Sequence, residues 1–372
     1  MIFVGGKMKK FNLITKQIKY KNILVLLIFS IAVLTITACS NKDNKTADQT
    51  TKTDQAATEP AKETEAPTKQ TDLSLDAAVL KVKDVEVTYR EALIYMLQLK
   101  DKYEPSLGED IWSFDLGEDG TFDEYAKREV IDQITQLKIV CQQAKALGIT
   151  LTEDELLEIN ESVVSYMQGI TEEDKTTYGI TEEIVKQVLS DNYLMEKVFS
   201  ITTNEVDTDI SDEEAKQIKV WQILVMTSGE DKNEKAIDMT EEEKKEAYKR
   251  AKTLLTQVKA SDDFYSFAKT NSDASEVEFT LGKGDLEANY ETAAFALKKD
   301  QVSDIIETES GYYILYCVSE FDEEATALKK EAIIKERQDE TFASKYKEWS
   351  ANFKVTENTT LWNQISFVSL GE

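Results

Sequence analysis

Histidine is absent from all 372 residues of the chain. This excludes a Ser-His-Asp triad, a Cys-His nucleophile, a histidine proton shuttle and a histidine-ligated zinc ion. Cysteine is scarce as well, and Cys39, Cys141 and Cys317 show no CxxC spacing. Neither a zinc ribbon nor a disulfide scaffold is indicated. A bridge between Cys141 and Cys317 is left open, although two buried thiols are the favoured interpretation. The sequence predicts no metal and no cofactor.

The first 38 residues lack acidic side chains and carry a basic stretch followed by an apolar run, Ile23 to Leu34, that is short for a membrane span. The basic residues are Lys7, Lys9, Lys10, Lys16, Lys19 and Lys21. The run Ile36-Thr37-Ala38-Cys39 looks like the lipobox of bacterial lipoproteins. We therefore expect a signal peptide over residues 1–38, lipidation of Cys39 and attachment to the outer face of the cell membrane. An uncleaved anchor is the alternative.

The rest of the chain is acidic, and the 71 acidic side chains outnumber the 44 lysines and arginines to give a net charge of −27. Binding to nucleic-acid phosphates through charge is therefore not expected. Residues 39–72 contain no large apolar side chain after Cys39 and include Pro60 and Pro67. Such a composition cannot form a core, so we interpret this segment as the lipidated cysteine and a disordered tether.

Residues 73–210 have the pattern of a mostly helical module. An alternating segment with a turn, Val79 to Val87, comes first. Threonine followed three residues later by glutamate predicts the starts of three helices, and these threonines are Thr88, Thr121 and Thr152. The first helix is expected to end near Tyr103 and the second at Gly148, and a fourth helix is expected to follow Thr181.

The period of the apolar residues changes in residues 217–320. The predicted order is β-α-α-β-α-β-β, which implies a small antiparallel sheet with packed helices and an α+β fold. The strands are expected at Val220 to Val225, Val277 to Leu281, Val302 to Ile306 and Tyr312 to Val318. The helices are expected after Thr240, at Asp262 to Lys269 and around Ala293 to Leu297.

The run from Gly282 to Leu297 reads GKGDLEANYETAAFAL. With the preceding DFYSFAK and the following QVSDIIETESGYYILYCV, it resembles a parvulin-type peptidyl-prolyl isomerase domain. The mature chain as a whole resembles the PrsA-type foldase lipoproteins and their SurA-like relatives. The resemblance implies that the isomerase domain is inserted in the helical module and that residues 321–372 return to that module, with a helix at Glu323 to Asn352.

The resemblance also implies a site. Its apolar cup for the prolyl ring would consist of Leu286, Tyr290 and Phe295. Gln222 and Tyr313 stand where the family usually has histidines, Gln222 facing Tyr313 across the sheet. Asp273 lies next to the position of a usual cysteine or aspartate. The family's polar residues near the second histidine are matched by Thr308 and Ser310. These five are the candidate catalytic residues. The alternative for the cup is that its three residues belong to an ordinary core.

Isomerisation of an Xaa-Pro bond passes through a twisted amide over a barrier of roughly 18–20 kcal/mol and needs neither covalent catalysis nor a cofactor. The loss of both histidines leaves two functions open. One is a foldase that isomerises prolyl bonds in unfolded or newly secreted polypeptides, and the other is a holdase chaperone with little catalysis. A solute-binding lipoprotein is disfavoured, because the chain has long helices and only 13 glycines. Pairing of two chains through the helical module is left open.

Overall fold

The computed structural model describes residues 74–117, 120–230 and 236–370. The predicted signal peptide, Cys39 and the tether to residue 72 lie outside the described residues. The chain divides into two units: unit 1 runs to Asn204 and resumes at Phe342, and unit 2 is Glu205–Thr341. In the described ranges no helix has the length and apolar character needed to cross a membrane.

The strands and helices are numbered in chain order. The strands are β1 (Ala78–Val82), β2 (Val85–Thr88), β3 (Ile218–Met226), β4 (Ser228–Glu230), β5 (Ala236–Asp238), β6 (Glu278–Leu281), β7 (Ile306–Glu307), β8 (Gly311–Ser319) and β9 (Val355–Glu357). The helices are α1 (Tyr89–Leu107), α2 (Phe122–Leu147), α3 (Glu153–Gly169), α4 (Glu172–Thr177), α5 (Glu182–Thr203), α6 (Asp212–Ala215), α7 (Glu241–Lys259), α8 (Phe264–Asn271), α9 (Ala288–Ala296), α10 (Glu323–Ser350) and α11 (Thr359–Trp362). A 3₁₀ helix occupies Glu109–Ser113.

The helices of unit 1 begin at the threonines that the sequence indicates. Thr121 and Thr152 form complete capping boxes with the glutamates three residues later, and the Thr88 side chain accepts a hydrogen bond from the Glu91 backbone. Gly148 ends α2 in the left-handed conformation, which glycine adopts without steric cost. The predicted end of α1 near Tyr103 is wrong, because the helix continues through Pro105 to Leu107.

The core of unit 1 is completed by residues from the end of the chain. Strand β9 pairs with β1 in a sheet of order β2-β1-β9. Phe367 stacks on Trp112 with ring centroids 4.3 Å apart, and Trp112 also packs against Phe122. Aromatic pairs of this kind contribute about 0.5–1.5 kcal/mol beyond their area. The segment after Phe342 is therefore part of the core of unit 1.

Unit 1 also contains a buried ionic cluster that joins three helices. The Lys138 ammonium on α2 lies 2.6 Å from a carboxylate oxygen of Glu91 on α1 and 2.6 Å from one of Asp191 on α5. Glu91 is 2% exposed and Lys138 is 3% exposed. Burial works in the opposite direction, but the two carboxylates raise the pKa of Lys138 above its usual value. The lysine therefore stays charged in the core.

Unit 2 contains the antiparallel sheet β6-β3-β8-β7. Helices α7 and α8 pack on one face of this sheet and α9 on the other. This arrangement confirms the predicted α+β fold class. The short β4–β5 ribbon was not predicted.

The predicted strand from Val302 to Ile306 is wrong, since regular pairing is confined to β7 at its end. Val302 forms an isolated bridge with Tyr316. The Ser303 hydroxyl accepts the Leu315 backbone N–H at 2.8 Å, so a side chain replaces a backbone carbonyl at this point. The ladder is interrupted there.

Helix α10 begins at Glu323 as predicted and ends at Ser350, two residues before the predicted end. Its residues up to Thr341 belong to unit 2, and those from Phe342 belong to unit 1. Cys141 and Cys317 are free thiols, of which Cys317 is buried.

Candidate functional site

Gln222 interrupts an otherwise apolar face of β3. Successive side chains of a strand point to opposite faces, so Gln222 shares its face with Val220, which packs in the cluster beneath α9. Ile223 and Val225 point to the other face and pack beneath α7 and α8. Gln222 is 6% exposed. A buried amide in such a place needs hydrogen-bond partners.

The main partner of Gln222 is Tyr290 on α9. The Tyr290 hydroxyl donates to Gln222 Oε1 over 2.9 Å, and Gln222 Nε2 donates to the Glu276 carbonyl over 3.4 Å. Tyr290 is 3% exposed, and burial together with the neighbouring Tyr313 raises the pKa of its phenol. The pair is therefore neutral over the physiological range, and each side chain fixes the other.

Tyr313 lies on the same face but not directly opposite Gln222. The register pairs Gln222 with Leu315 and Leu224 with Tyr313. The expectation that Gln222 faces Tyr313 across the sheet is therefore wrong. The two residues belong to successive cross-strand pairs on the same face and are diagonal neighbours. Tyr290 connects them, because its ring meets the Tyr313 ring edge-on with centroids 5.0 Å apart.

The ionisation of Tyr313 is also controlled by its surroundings. Burial raises the pKa of Tyr313, a hydrogen bond with the Ser310 side chain opposes this shift, and the Glu287 carboxylate adds to it. Tyr313 is a neutral hydrogen-bonding group here, where the family resemblance expects an imidazole. It cannot act as a proton shuttle near neutral pH.

The three residues predicted to form the cup differ in their exposure. Leu286 is 44% exposed, Tyr290 is buried and Phe295 is partly buried against the cluster beneath α9. The alternative that all three are ordinary core residues is therefore wrong for Leu286. That the three form a cup for a prolyl ring stays a prediction.

A glycine turn brings Leu286 to the surface. Gly284 has a φ of +88°, which side chains other than glycine rarely adopt, and its N–H donates to Glu291 over 2.5 Å. The Gly282 N–H donates to the Asp285 carboxylate over 2.7 Å. These hydrogen bonds hold the backbone of the turn between β6 and α9, which immediately precedes Leu286, in one conformation.

Thr308 and Ser310 lie in the turn between β7 and β8. The Thr308 hydroxyl donates to the Gly311 carbonyl over 3.1 Å, so it closes the turn locally. A Cβ atom at Gly311 would stand 2.2 Å from the Val225 carbonyl oxygen, so only glycine fits against β3 at this point. The Thr308 hydroxyl therefore stabilises the turn itself, whereas the Ser310 side chain acts on Tyr313.

Asp273 has different partners. Its carboxylate pairs with Arg250 at 2.7 Å and accepts the Met226 N–H at 3.0 Å. None of its described contacts is with Gln222, Tyr290 or Tyr313. Its role as a catalytic residue stays a prediction, and its contacts are those of a residue that fastens a loop to the end of β3.

Glu287 is a residue of this site that the sequence analysis missed. It stands at the N-cap of α9, and its carboxylate accepts the Glu309 N–H over 3.0 Å and the Ser310 hydroxyl over 3.5 Å. The predicted helix began at Ala293, whereas α9 begins at Ala288. A prediction that began the helix at Ala288 would have placed Glu287 at its N-cap, next to Leu286.

The site offers no set of metal ligands. Across residues 74–117, 120–230 and 236–370, no group of three or more cysteine, aspartate and glutamate side chains could hold a metal ion. The groups that Gln222, Tyr290, Tyr313 and Ser310 present are neutral hydrogen-bond donors and acceptors.

Residues 223–319 match the family model described as Rotamase: PPIC-type PPIASE domain. This range contains Leu286, Tyr290, Phe295, Tyr313 and the Thr308–Gly311 turn, and it begins one residue after Gln222. Unit 2 contains a PPIC-type domain. The resemblance inferred from the sequence is thereby confirmed for this part of the chain.

Similarity to curated proteins extends well beyond the PPIC-type domain. A foldase protein PrsA of Clostridium botulinum strain Langeland is 25% identical over 370 residues, covering 90% of this chain and 96% of that protein. A foldase protein PrsA of Caldanaerobacter subterraneus subsp. tengcongensis is 26% identical, covering 74% of this chain and 89% of that protein. The resemblance to PrsA-type proteins therefore includes sequence on both sides of the PPIC-type domain.

Among solved structures, the peptidylprolyl isomerase PrsA from Bacillus anthracis is 20% identical, covering 60% of this chain and 98% of that chain, with a TM-score of 0.31. A TM-score this low supports no argument about the site. The family match and the side-chain geometry carry the functional assignment instead.

Proposed function

We propose that the chain is a foldase whose PPIC-type domain isomerises Xaa-Pro bonds in unfolded polypeptides. The observation that carries this proposal is an exposed leucine, Leu286, that stands four residues before Tyr290 of the buried Gln222–Tyr290–Tyr313 group on a PPIC-type domain. In this proposal Leu286 and Phe295 hold the prolyl ring, and Tyr290 forms the floor of the cup.

The mechanism needs no proton transfer. In the twisted amide, C–N resonance is lost and the carbonyl oxygen carries less negative charge than in either planar form. An apolar cup therefore disfavours the planar amide more than the twisted one, which is preferential binding of the transition state. The hydroxyls of Tyr313 and Ser310 supply neutral hydrogen-bonding groups at the edge of the cup, and the Gln222–Tyr290 bond keeps its floor rigid.

The direct test is a proline-limited isomerisation assay of a short peptide with the full chain, compared with buffer. Leu286→Ala is expected to lower kcat/KM about tenfold or more, because a leucine side chain buried on binding is worth about 1.5–3 kcal/mol. The matched control is Leu328→Ala on α10, since Leu328 is also exposed (61%) and lies outside the site. The proposal fails if the wild-type chain does not accelerate the reaction, or if both variants lose activity equally.

A second candidate function is a holdase chaperone, and a specific feature of unit 1 favours it. Leu157 and Val164 on α3 are 62% and 55% exposed. They lie seven residues apart, so they share one side of the helix. Val164 also lines an open depression with Met167 and Ile170. We propose that apolar segments of unfolded polypeptides bind there.

Aggregation of a chemically denatured test protein distinguishes this candidate. The full chain is expected to suppress light scattering, and a Leu157→Lys, Val164→Lys variant should suppress it less. Leu328→Lys in unit 2 is the control for a lost exposed leucine. Equal scattering with and without the wild-type chain would remove the chaperone proposal.

Location and assembly belong to the same proposal. Lipidation of Cys39 would hold the chain at the extracytoplasmic membrane face, where secreted polypeptides emerge unfolded. Cys39→Ala should then release the chain from the membrane fraction. Pairing of two chains through the helical module also stays a proposal, and sedimentation of the chain would test it.

A further inference from the structure

The turn that carries Ser310 is fastened to the start of α9 by side chains. Glu287 accepts the Glu309 N–H over 3.0 Å and the Ser310 hydroxyl over 3.5 Å. Asn289, two residues further on, donates to the Glu307 carbonyl over 3.2 Å. The start of α9 therefore contacts Glu307, Glu309 and Ser310 at the β7–β8 connection.

The other side of the turn is fastened to the end of β3. The Thr227 N–H donates to the Ser310 carbonyl over 3.2 Å, and Gly311 packs directly on the Val225 carbonyl. These contacts set the backbone of the turn, but they do not orient the Ser310 hydroxyl. Among the described contacts, the Glu287 carboxylate is the group that accepts from this hydroxyl.

The Ser310 side chain also acts on Tyr313, because it opposes the rise in the Tyr313 pKa that burial causes. Glu287 thus contacts Ser310, and the Tyr313 ring meets Tyr290, whose hydroxyl donates to Gln222. Tyr313 occupies the position where the family resemblance expects a histidine. A phenol in that place has a rotatable hydroxyl, and a fixed partner is needed to give it one orientation.

We propose that Glu287 is a positioning residue of the isomerase site, which holds the Thr308–Gly311 turn so that Ser310 orients the Tyr313 hydroxyl. This inference rests on the proposed isomerase function. It assigns Glu287 no contact with the client. Its effect on the reaction passes through Ser310 and Tyr313.

Three variants of the full chain test the proposal. Glu287→Ala removes both acceptors and is expected to lower kcat/KM roughly three- to tenfold, the range of one lost hydrogen bond, mainly through kcat. Glu287→Gln keeps an acceptor for the Glu309 N–H and a polar group for Ser310, and it should retain most of the activity. Glu309→Ala removes a neighbouring carboxylate but leaves the backbone N–H donor, so it serves as the control for charge.

Hydrogen exchange of the Glu309 amide provides a readout that does not depend on catalysis. Its exchange should be faster in Glu287→Ala than in the wild type and close to the wild-type rate in Glu287→Gln. If the wild-type chain has no isomerase activity, the proposed function fails while the exchange data still decide whether Glu287 holds the turn. Unchanged exchange in Glu287→Ala, or a loss of kcat in Glu309→Ala as large as that in Glu287→Ala, would overturn the proposal.

Discussion

Tyr290 has two kinds of contact in unit 2. Its ring packs among the apolar residues beneath α9, and its hydroxyl donates to Gln222. We expect this hydrogen bond to contribute strongly to stability, because both partners are buried. If the donor is removed, no water molecule can replace it, and the buried acceptor has no hydrogen-bond partner. The same bond makes the floor of the proposed cup rigid.

Removing the hydroxyl of Tyr290 tests this view. Tyr290→Phe keeps the ring but leaves Gln222 Oε1 without its donor, so unit 2 should lose about 1–3 kcal/mol of stability. The measurement is the free energy of opening from hydrogen exchange of the β3 amides. Tyr248→Phe is the control, because Tyr248 is 39% exposed and its hydroxyl can bond to water. Equal effects of the two substitutions would show that the buried bond is not important.

The site residues differ in how far the sequence could predict them. Gln222, Tyr290 and Tyr313 were implied by the resemblance to parvulin-type domains, and the structure brings them together. Their pairing could not be predicted, because β3 and β8 are far apart in the sequence and no hairpin turn joins them to fix the register. The pairing therefore depends on tertiary packing.

At the scale of elements, local signals predicted the starts of helices better than the extents of strands. Thr121, Thr152 and Thr240 form capping boxes, in which the signal and the contact are both local. The segment at Val302 has the composition of a strand, but Ser303 replaces a ladder partner with its side chain. The apolar pattern contains no sign of that exchange.

The ionic cluster of Lys138, Glu91 and Asp191 joins α1, α2 and α5, and we predict that it is sensitive to the loss of its cation. Lys138→Met leaves the Glu91 carboxylate buried without a counterion, which should cost about 3–5 kcal/mol. Hydrogen exchange of the α2 amides measures this loss. Lys145→Met is the control on the same helix, because Lys145 is exposed. A lower pH should reduce the penalty, since a protonated Glu91 needs no counterion; a penalty independent of pH would contradict this explanation.

At the scale of the whole molecule, the partly buried Tyr166 makes stability depend on alkaline pH. Burial, with a smaller contribution from Asp101, raises the pKa of Tyr166 from 10.0 to about 12. Between these values the unfolded chain has lost the phenolic proton and the folded chain keeps it. The folded state then binds more protons, so stability is lost as the pH rises from about 10 to about 12.

We therefore predict that Tyr166→Phe flattens this dependence. The wild-type chain should lose about 1 kcal/mol more than the variant between pH 9 and pH 11, since one pKa unit corresponds to about 1.4 kcal/mol. Urea unfolding followed by tryptophan fluorescence at several pH values gives the two curves. Parallel curves would show that Tyr166 ionises equally in both states.

The chain enters unit 2 after Asn204 and leaves it before Phe342, and this order has a consequence for how the protein matures. A chain that emerges from its N-terminus presents all of unit 2 before it presents the partners of Trp112 and β1. During that interval the core of the α1–α5 segment is incomplete, while unit 2 already has its whole sequence. We therefore expect unit 2 to fold first, and unit 1 to complete its core only after the residues that follow Phe342 have emerged.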